Sequence, residues 1–273
     1  MTLKEEIKKL LQKNNLFLKK SLGQNFLIEK ETLKKILQAA DLKKKDTVLE
    51  VGPGFGVLTK ELAKKTKKVI TVEKDKKIAK ILKKELKNYP NIEIITKDVL
   101  KLKIKNLKIK KNYKVVANLP YYIVSPVIRK FLEEETPPQE MVLMVQKEVA
   151  QRICQKPPKM NVLTVATQLY AKPKIIKIIK KDSFWPKPKV DSAILKIENI
   201  NSQNFSLQFK NHFFKIVKAG FSSPRKQLQN NLQKILGKKT KSILQKINID
   251  EKRRAESLLV SEWILLAKKA KKR

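Results

Sequence analysis

Six glycines occur in the 273 residues, and three of them fall within Glu50-Val51-Gly52-Pro53-Gly54-Phe55-Gly56. A chain so poor in glycine keeps it where a side chain cannot be accommodated, here a tight turn that brings backbone up to a ligand. Ahead of the turn, Thr47-Val48-Leu49-Glu50-Val51 reads as a buried strand, and behind it Leu58, Leu62 and Ala63 keep helical spacing. Seventeen residues past Gly56, the apolar run Val69-Ile70-Thr71-Val72 ends on Glu73. Strand, glycine turn, helix, strand and acid form the βαβ unit that grips a nucleoside, with the acid placed for a ribose hydroxyl.

Charge is the second constraint. Lys and Arg number 64 against 25 acids, a net +39. A single lysine is best read as surface solvation, but the total fits a polyanionic partner. The excess is denser at the end of the chain: residues 201–273 hold 18 bases and 4 acids, residues 1–200 hold 46 and 21. No apolar stretch is long enough to span a membrane. The N-terminus alternates Lys and Leu without a secretory h-region, and no Arg precedes Arg129, which argues against a mitochondrial presequence. A cytoplasmic location is expected. One cysteine, Cys154, excludes a disulfide framework or a cysteine metal site and is expected to be a small buried residue.

Periodicity predicts an amphipathic helix over 2–18, a loop, and a helix over 30–40. Further strands are expected at 69–72, 91–96, 114–117, 141–145, 175–179 and 190–197. Helices are expected near 78–86, 124–134, 147–155 and 161–170. The Lys-studded stretch 100–113 fits either a loop or an edge strand. Strands alternating with helices imply a mostly parallel seven-stranded sheet, an α/β Rossmann-like fold. Beyond about residue 205 only helical periodicity remains, with a last helix over 251–272 capped by Asp250. Three segments are therefore expected: an N-terminal amphipathic segment (1–20), an α/β domain (21–200) and a basic helical domain (201–273).

The glycine turn with its downstream acid could serve NAD or S-adenosylmethionine. The spacing Glu-x-Gly-x-Gly-x-Gly favours the methyl donor, and Asn118-Leu119-Pro120-Tyr121 at the end of a strand settles the choice. Ligands of open α/β sheets sit at the carboxyl ends of strands, so Asn118 and Tyr121 are expected beside the donor. An exocyclic adenine amine is a poor nucleophile because its lone pair is delocalised into the ring. An amide oxygen and a backbone carbonyl can accept its N–H groups and aim that lone pair at a methyl. Proline restricts the turn and leaves a carbonyl free. Tyr121 offers a ring for stacking, worth about 1–3 kcal/mol. Alignment of the reacting atoms can supply about 7–11 kcal/mol of the barrier.

With these motifs the chain resembles the ribosomal RNA adenine dimethyltransferase family, most closely its small-subunit branch (the KsgA type). The resemblance rests on residues 22–27, 48–59, 72–75, 118–122, 146–149, 184–192 and 254–256. It implies S-adenosylmethionine as cofactor and methylation of N6 on two adjacent adenosines in a hairpin loop near the 3′ end of small-subunit rRNA. It further implies that Asn25 and Leu27 close over the donor and that Gly52 and Gly54 line its methionine moiety. Glu73 would bind the ribose and Asp98 the adenine amine. Asn118 would touch donor and target alike, with Leu119 and Pro120 completing the acceptor turn. Tyr121 would stack on the flipped base and Phe184 would cover its other face. Arg225 and Lys226 would face RNA. The implied partner is the assembling small ribosomal subunit, the expected state a monomer, and no metal is called for.

The sequence departs from that pattern at 156–161, at Trp185 and around Phe221–Lys226. Within the same chemistry, the large-subunit, macrolide-resistance type tends to Asn-Ile-Pro-Tyr where Leu119 stands here. An RNA-binding assembly factor and an NAD-dependent oxidoreductase are the readings from other classes. Lone His212, on an apolar face with Phe213 and Phe214, is expected to be a satisfied, half-buried histidine.

Overall fold

The computed structural model of the chain describes residues 1–16, 18, 25–107, 109, 112–201 and 205–270. Two compact units form, Met1–Ala150 with Lys172–Ile200, and Gln151–Ala171 with Asn201–Arg273. The chain runs α1 (Leu3–Lys13), β1 (Phe26–Leu27), α2 (Lys30–Ala40), β2 (Thr47–Val51), α3 (Val57–Lys65), β3 (Lys68–Glu73), α4 (Lys76–Glu85) and β4 (Ile92–Thr96). It continues through β5 (Lys114–Asn118), α5 (Val124–Glu133), β6 (Glu140–Gln146), α6 (Lys147–Ile153), α7 (Val162–Gln168), β7 (Lys172–Ile179), β8 (Phe184–Trp185) and β9 (Ser192–Glu198).

Seven strands make one sheet in the order β4-β3-β2-β5-β6-β9-β7. The first five are mutually parallel, while β9 is antiparallel to both neighbours. The central strands are apolar on both faces because helices cover both sides: four of the five residues in β2 and in β5 are buried. Such continuous Val, Leu and Ile runs are what a parallel sheet requires.

The amino ends of the strands hold a buried charge cluster. Lys114 Nζ donates to the carbonyls of Ala40 (2.8 Å) and Asp41 (2.9 Å) at the end of α2 and pairs with Asp46 (3.3 Å) and Glu140 (3.1 Å). Lys196 donates to Ala39 and pairs with Glu140 at 2.9 Å. Cations suit the carbonyl end of a helix, and partners on several sides offset the desolvation of burial. The floor of the sheet is thus pinned, leaving its opposite edge to function.

The second unit holds α7 with α8 (Leu207–Gly220), α9 (Leu228–Leu236), α10 (Thr240–Lys246) and α11 (Val260–Lys269). Residues 151–171, which the sequence places in the α/β domain, cluster here instead. Their long-range partners explain this: Met160 N–H donates to Glu256 O at 2.9 Å, Asn201 N–H to Tyr170 O at 2.8 Å, and the Tyr170 and Phe214 rings meet at 6.3 Å.

Other differences are local. The first helix stops at Lys13, where Asn14 closes it through its own backbone N–H. Residues 100–107 form no strand but irregular backbone with two 3-10 turns, Val99–Lys101 and Ile104–Leu107, the first capped by the Asp98 side chain. The final helix starts at Val260. Asp250 caps only a turn, accepting from Lys252 N–H at 2.8 Å. Cys154 is half-buried. His212 is half-buried too, but its buried Nε2 has no hydrogen-bond partner among the described residues. Residues 17, 19–24, 108, 110–111, 202–204 and 271–273, which include part of the 22–27 motif and the ends of several expected elements, lie outside the described residues.

Candidate active site

The chain leaves β2 outward through β3 and β4, then returns to place β5 and β6 on β2's other side. The strand order therefore reverses between β2 and β5, which are direct neighbours through Val48↔Lys114 and Leu49↔Val115. Such a switch point opens a crevice at the carboxyl ends of the two strands. The glycine turn leaves one strand there and the Asn118 turn leaves the other.

Gly52, Gly54 and Gly56 all adopt positive φ (+68°, +57° and +82°), which a side chain would resist. Gly52 N–H donates to Val72 O at 3.0 Å, tying the turn to β3. A Cβ on Gly54 would stand 2.8 Å from the Phe26 ring, and one on Gly52 would stand 3.6 Å from Pro120 Cδ. The two turns are therefore in van der Waals reach. Leu119 N–H donates to Met144 O at 3.2 Å and fixes the second turn on β6.

Asn118 Nδ2 donates to Asn25 O at 3.1 Å. That bond leaves Oδ1 as the end of the amide able to accept. Pro120 O already accepts from Ile123 N–H at 3.1 Å. The Tyr121 hydroxyl lies 2.8 Å from Ser192 Oγ, and burial raises its pKa.

Four carboxyls line the crevice, those of Glu50, Glu73, Asp75 and Asp98, and three of them stand in different states. Glu73, at the end of β3, is 8% exposed; burial raises its pKa against the opposing N–H bonds of the Asp75 and Gly54 backbone. Asp98 is held below the usual range: burial pushes it up, but the Lys74 ammonium 3.0 Å away and Leu100 N–H outweigh that. Glu50 is wholly buried. Desolvation pushes it up to about 8, against a 2.7 Å bond from Thr59 Oγ1 and with help from the charge of Glu73. A neutral carboxyl therefore lies beneath the glycine turn at pH 7.

The seven residues assigned to the cofactor, Asn25, Leu27, Gly52, Gly54, Glu73, Asp98 and Asn118, all line this crevice, and so do Leu119, Pro120 and Tyr121 of the acceptor turn. Phe184 does not. It pairs with Leu27 in the two-stranded β1–β8 ladder, and its ring is 2% exposed within the hydrophobic core. Arg225 and Lys226 are exposed in the second unit, on the turn between α8 and α9. The sequence reading gave no role to Glu50, Lys74, Tyr122 or Ser192. A lone acid inside the apolar run 47–51 was the signal for Glu50; Ser192 had none, being 71 residues from Tyr121.

Among the described residues no group of three or more His, Cys, Asp or Glu is placed to hold a metal ion, and no helix is long and apolar enough to cross a membrane. The fold and the crevice define a Rossmann-like, S-adenosylmethionine-dependent methyltransferase. The family model described as "Ribosomal RNA adenine dimethylase" matches residues 15–272. The small-subunit ribosomal RNA methyltransferase A of Dehalococcoides mccartyi strain 195 is 43% identical over 97% of this chain and 92% of its own length. A dimethyladenosine transferase from Plasmodium falciparum superposes with TM-score 0.73 at 27% identity, over 88% of this chain and 95% of its own. The 23S rRNA methyltransferase ErmE gives 0.72 at 25% identity, over 89% and 98%. The chain belongs to the ribosomal RNA adenine dimethylase family.

Proposed function

We propose that this protein transfers methyl groups from S-adenosylmethionine to N6 of adenosine in small-subunit ribosomal RNA, giving dimethyladenosine. The observation that carries the reading is the meeting of the glycine turn and the Asn118 turn at the switch point. The crevice fits the donor: backbone approaches closely at Gly52 and Gly54, and Glu73 and Asp98 supply carboxyl acceptors for ribose hydroxyls and an adenine amine. Bound there, the donor supplies an electrophilic methyl on a sulfonium.

The chain's own groups do the rest. Asn25 and Leu27 close the crevice from above. Asn118 Oδ1 accepts one N–H of the target amine, and a backbone carbonyl of the Asn118–Pro120 turn accepts the other. Tyr121 stacks on the base drawn out of the RNA, since a stacked adenine buries N6. The target is two adjacent adenosines in a hairpin loop near the 3′ end of the rRNA, met on the assembling subunit by a monomer in the cytoplasm. The 201–273 segment, with Arg225 and Lys226 exposed, supplies phosphate contacts. The named relatives at 43% identity favour the small subunit over the large, the target of the 25% neighbour.

Incubation with labelled donor and undermethylated subunits, followed by primer extension, tests the reading. Label in two neighbouring adenosines of the small-subunit rRNA is expected. Label in the large subunit alone, or none in adenine, defeats it.

A further inference from the structure

The Asn118 turn carries two tyrosines of different exposure, both lining the crevice. Tyr121 is half-buried and bonded to Ser192, whereas Tyr122 is 53% exposed on the same single turn of 3-10 helix, Tyr121–Ile123. Among the described residues the Tyr122 hydroxyl makes no hydrogen bond and its ring no aromatic pair. It nonetheless lines the mouth of the crevice, together with Leu100, which is 37% exposed. The same mouth holds the exposed side chains of Lys74 and Lys97. The Lys74 ammonium is close enough to Tyr122 for the two to interact electrostatically. Lys97 is exposed at the mouth, and Lys74 reaches it while paired with Asp98 at 3.0 Å. A bare aromatic face beside cations is the surface that single-stranded nucleic acid selects: the ring takes a base and the cations take the phosphate.

We infer that Tyr122 is a stacking platform for the RNA base next to the one being methylated, with Lys74 and Lys97 beside the phosphate between them. This rests on the reading of the crevice as the methyl-donor and adenosine site. A base drawn into the crevice leaves its neighbour one phosphate away, at the mouth. That is where Tyr122 stands. The purine of the donor is the other base within range, because its amine acceptor Asp98 lies 3.0 Å from the Lys74 ammonium, and the S-adenosylhomocysteine Kd separates the two. The platform also gives two adjacent adenosines a reason to be handled by one site: while one base occupies the crevice, the other is held in stacking register.

The test compares Tyr122→Ala and Tyr122→Phe with the native protein, measuring the KM for undermethylated subunits, kcat, and the Kd for S-adenosylhomocysteine. Tyr122→Ala should raise the KM about tenfold, within what base–aromatic stacking supplies. The S-adenosylhomocysteine Kd should stay within about twofold, which also reports an intact fold, and Tyr122→Phe should behave as native. An unmoved KM in Tyr122→Ala, a parallel loss of S-adenosylhomocysteine affinity, or a phenylalanine variant as poor as the alanine one would each overturn the inference. Native protein that transfers no methyl to adenine would overturn the reading beneath it as well.

Discussion

The side-chain amide of Asn118 donates to the backbone carbonyl of Asn25 at 3.1 Å, joining the end of β5 to the segment that roofs the crevice. The bond fixes which end of the amide is presented to a substrate amine. A carboxylate at the same position would offer an acceptor to each side, and one would face the Asn25 carbonyl without a proton between them.

Asn118→Ala should therefore lower kcat by about 10²- to 10³-fold, the usual cost of removing one preorganised polar group at the reacting centre. S-adenosylhomocysteine affinity should weaken only modestly. Asn118→Asp should also be impaired, because it keeps an acceptor but loses the orienting donor. Equal losses in kcat and in cofactor affinity for the alanine variant would show that the residue serves the donor alone.

Gly54→Ala combines a positive φ with a Cβ 2.8 Å from Phe26 Cε1. Left-handed backbone alone costs a non-glycine residue about 1–2 kcal/mol, and displacement of the aromatic pair Phe26–Phe55 (centroids 4.9 Å apart) adds to it. Gly237→Ala is the control for cofactor binding: it lies in the second unit with nothing within 4 Å of the added carbon, although its backbone (φ +61°, ψ −148°) is also one that glycine favours. Urea titration should show both variants less stable than the native protein, and only the Gly54 variant should lose S-adenosylhomocysteine binding.

Glu50 makes stability depend on pH in a defined direction. Its carboxyl is raised from 4.5 to about 8 in the folded chain, so the native state binds the proton that the unfolded state releases. The stabilisation is fully present below pH 4.5 and is lost as pH rises toward 8, a decline on the order of a few kcal/mol. Glu50→Gln keeps an acceptor for Thr59 and has no proton to lose. Its stability should fall less between pH 5 and 8 (about the range just named); a native-like slope in the variant would refute the assignment.

Tyr121→Phe removes the hydroxyl bonded to Ser192 and keeps the ring. About 1 kcal/mol of stability should go, with turnover changed severalfold at most. Tyr121→Ala should lose far more turnover. Comparable kcat values for the two variants would show that stacking contributes little.

Binding to the subunit should weaken by orders of magnitude as salt rises from about 50 to about 200 mM, as phosphate contacts require. Arg225→Ala and Lys226→Ala should each reduce the slope of log K against log salt by about one. A flat salt response, or unchanged slopes in both variants, would remove the basic segment from the interface.

The sequence made the crevice legible because local residue types carry it: glycines where φ must be positive, an acid closing a β-branched run, a proline turn after a strand. The central strands fall within a residue or two of expectation for the same reason. The burial of Phe184 was not legible, because it is set by pairing with Leu27, which no local pattern encodes. Residues 151–171 show ordinary helical spacing, and only the distant bonds to Glu256 and Asn201 decide which unit they join. Tyr122 follows Tyr121 directly in the chain, and only their different exposure in the folded turn separates them. The protonation of Glu50 needed the depth of the strand to be known.

The roof of the crevice is fastened by parts of the chain made at very different times. Phe26 and Leu27 pair with Trp185 and Phe184, Ile28 N–H reaches Ser183 O at 2.9 Å, and Ser183 Oγ donates to Glu29, 154 residues earlier. During translation, then, the emerging polypeptide cannot seat Asn25 against Asn118 by this ladder until the 180s have left the ribosome. A truncated product could complete the five parallel strands β2–β6 and still lack a closed nucleotide berth.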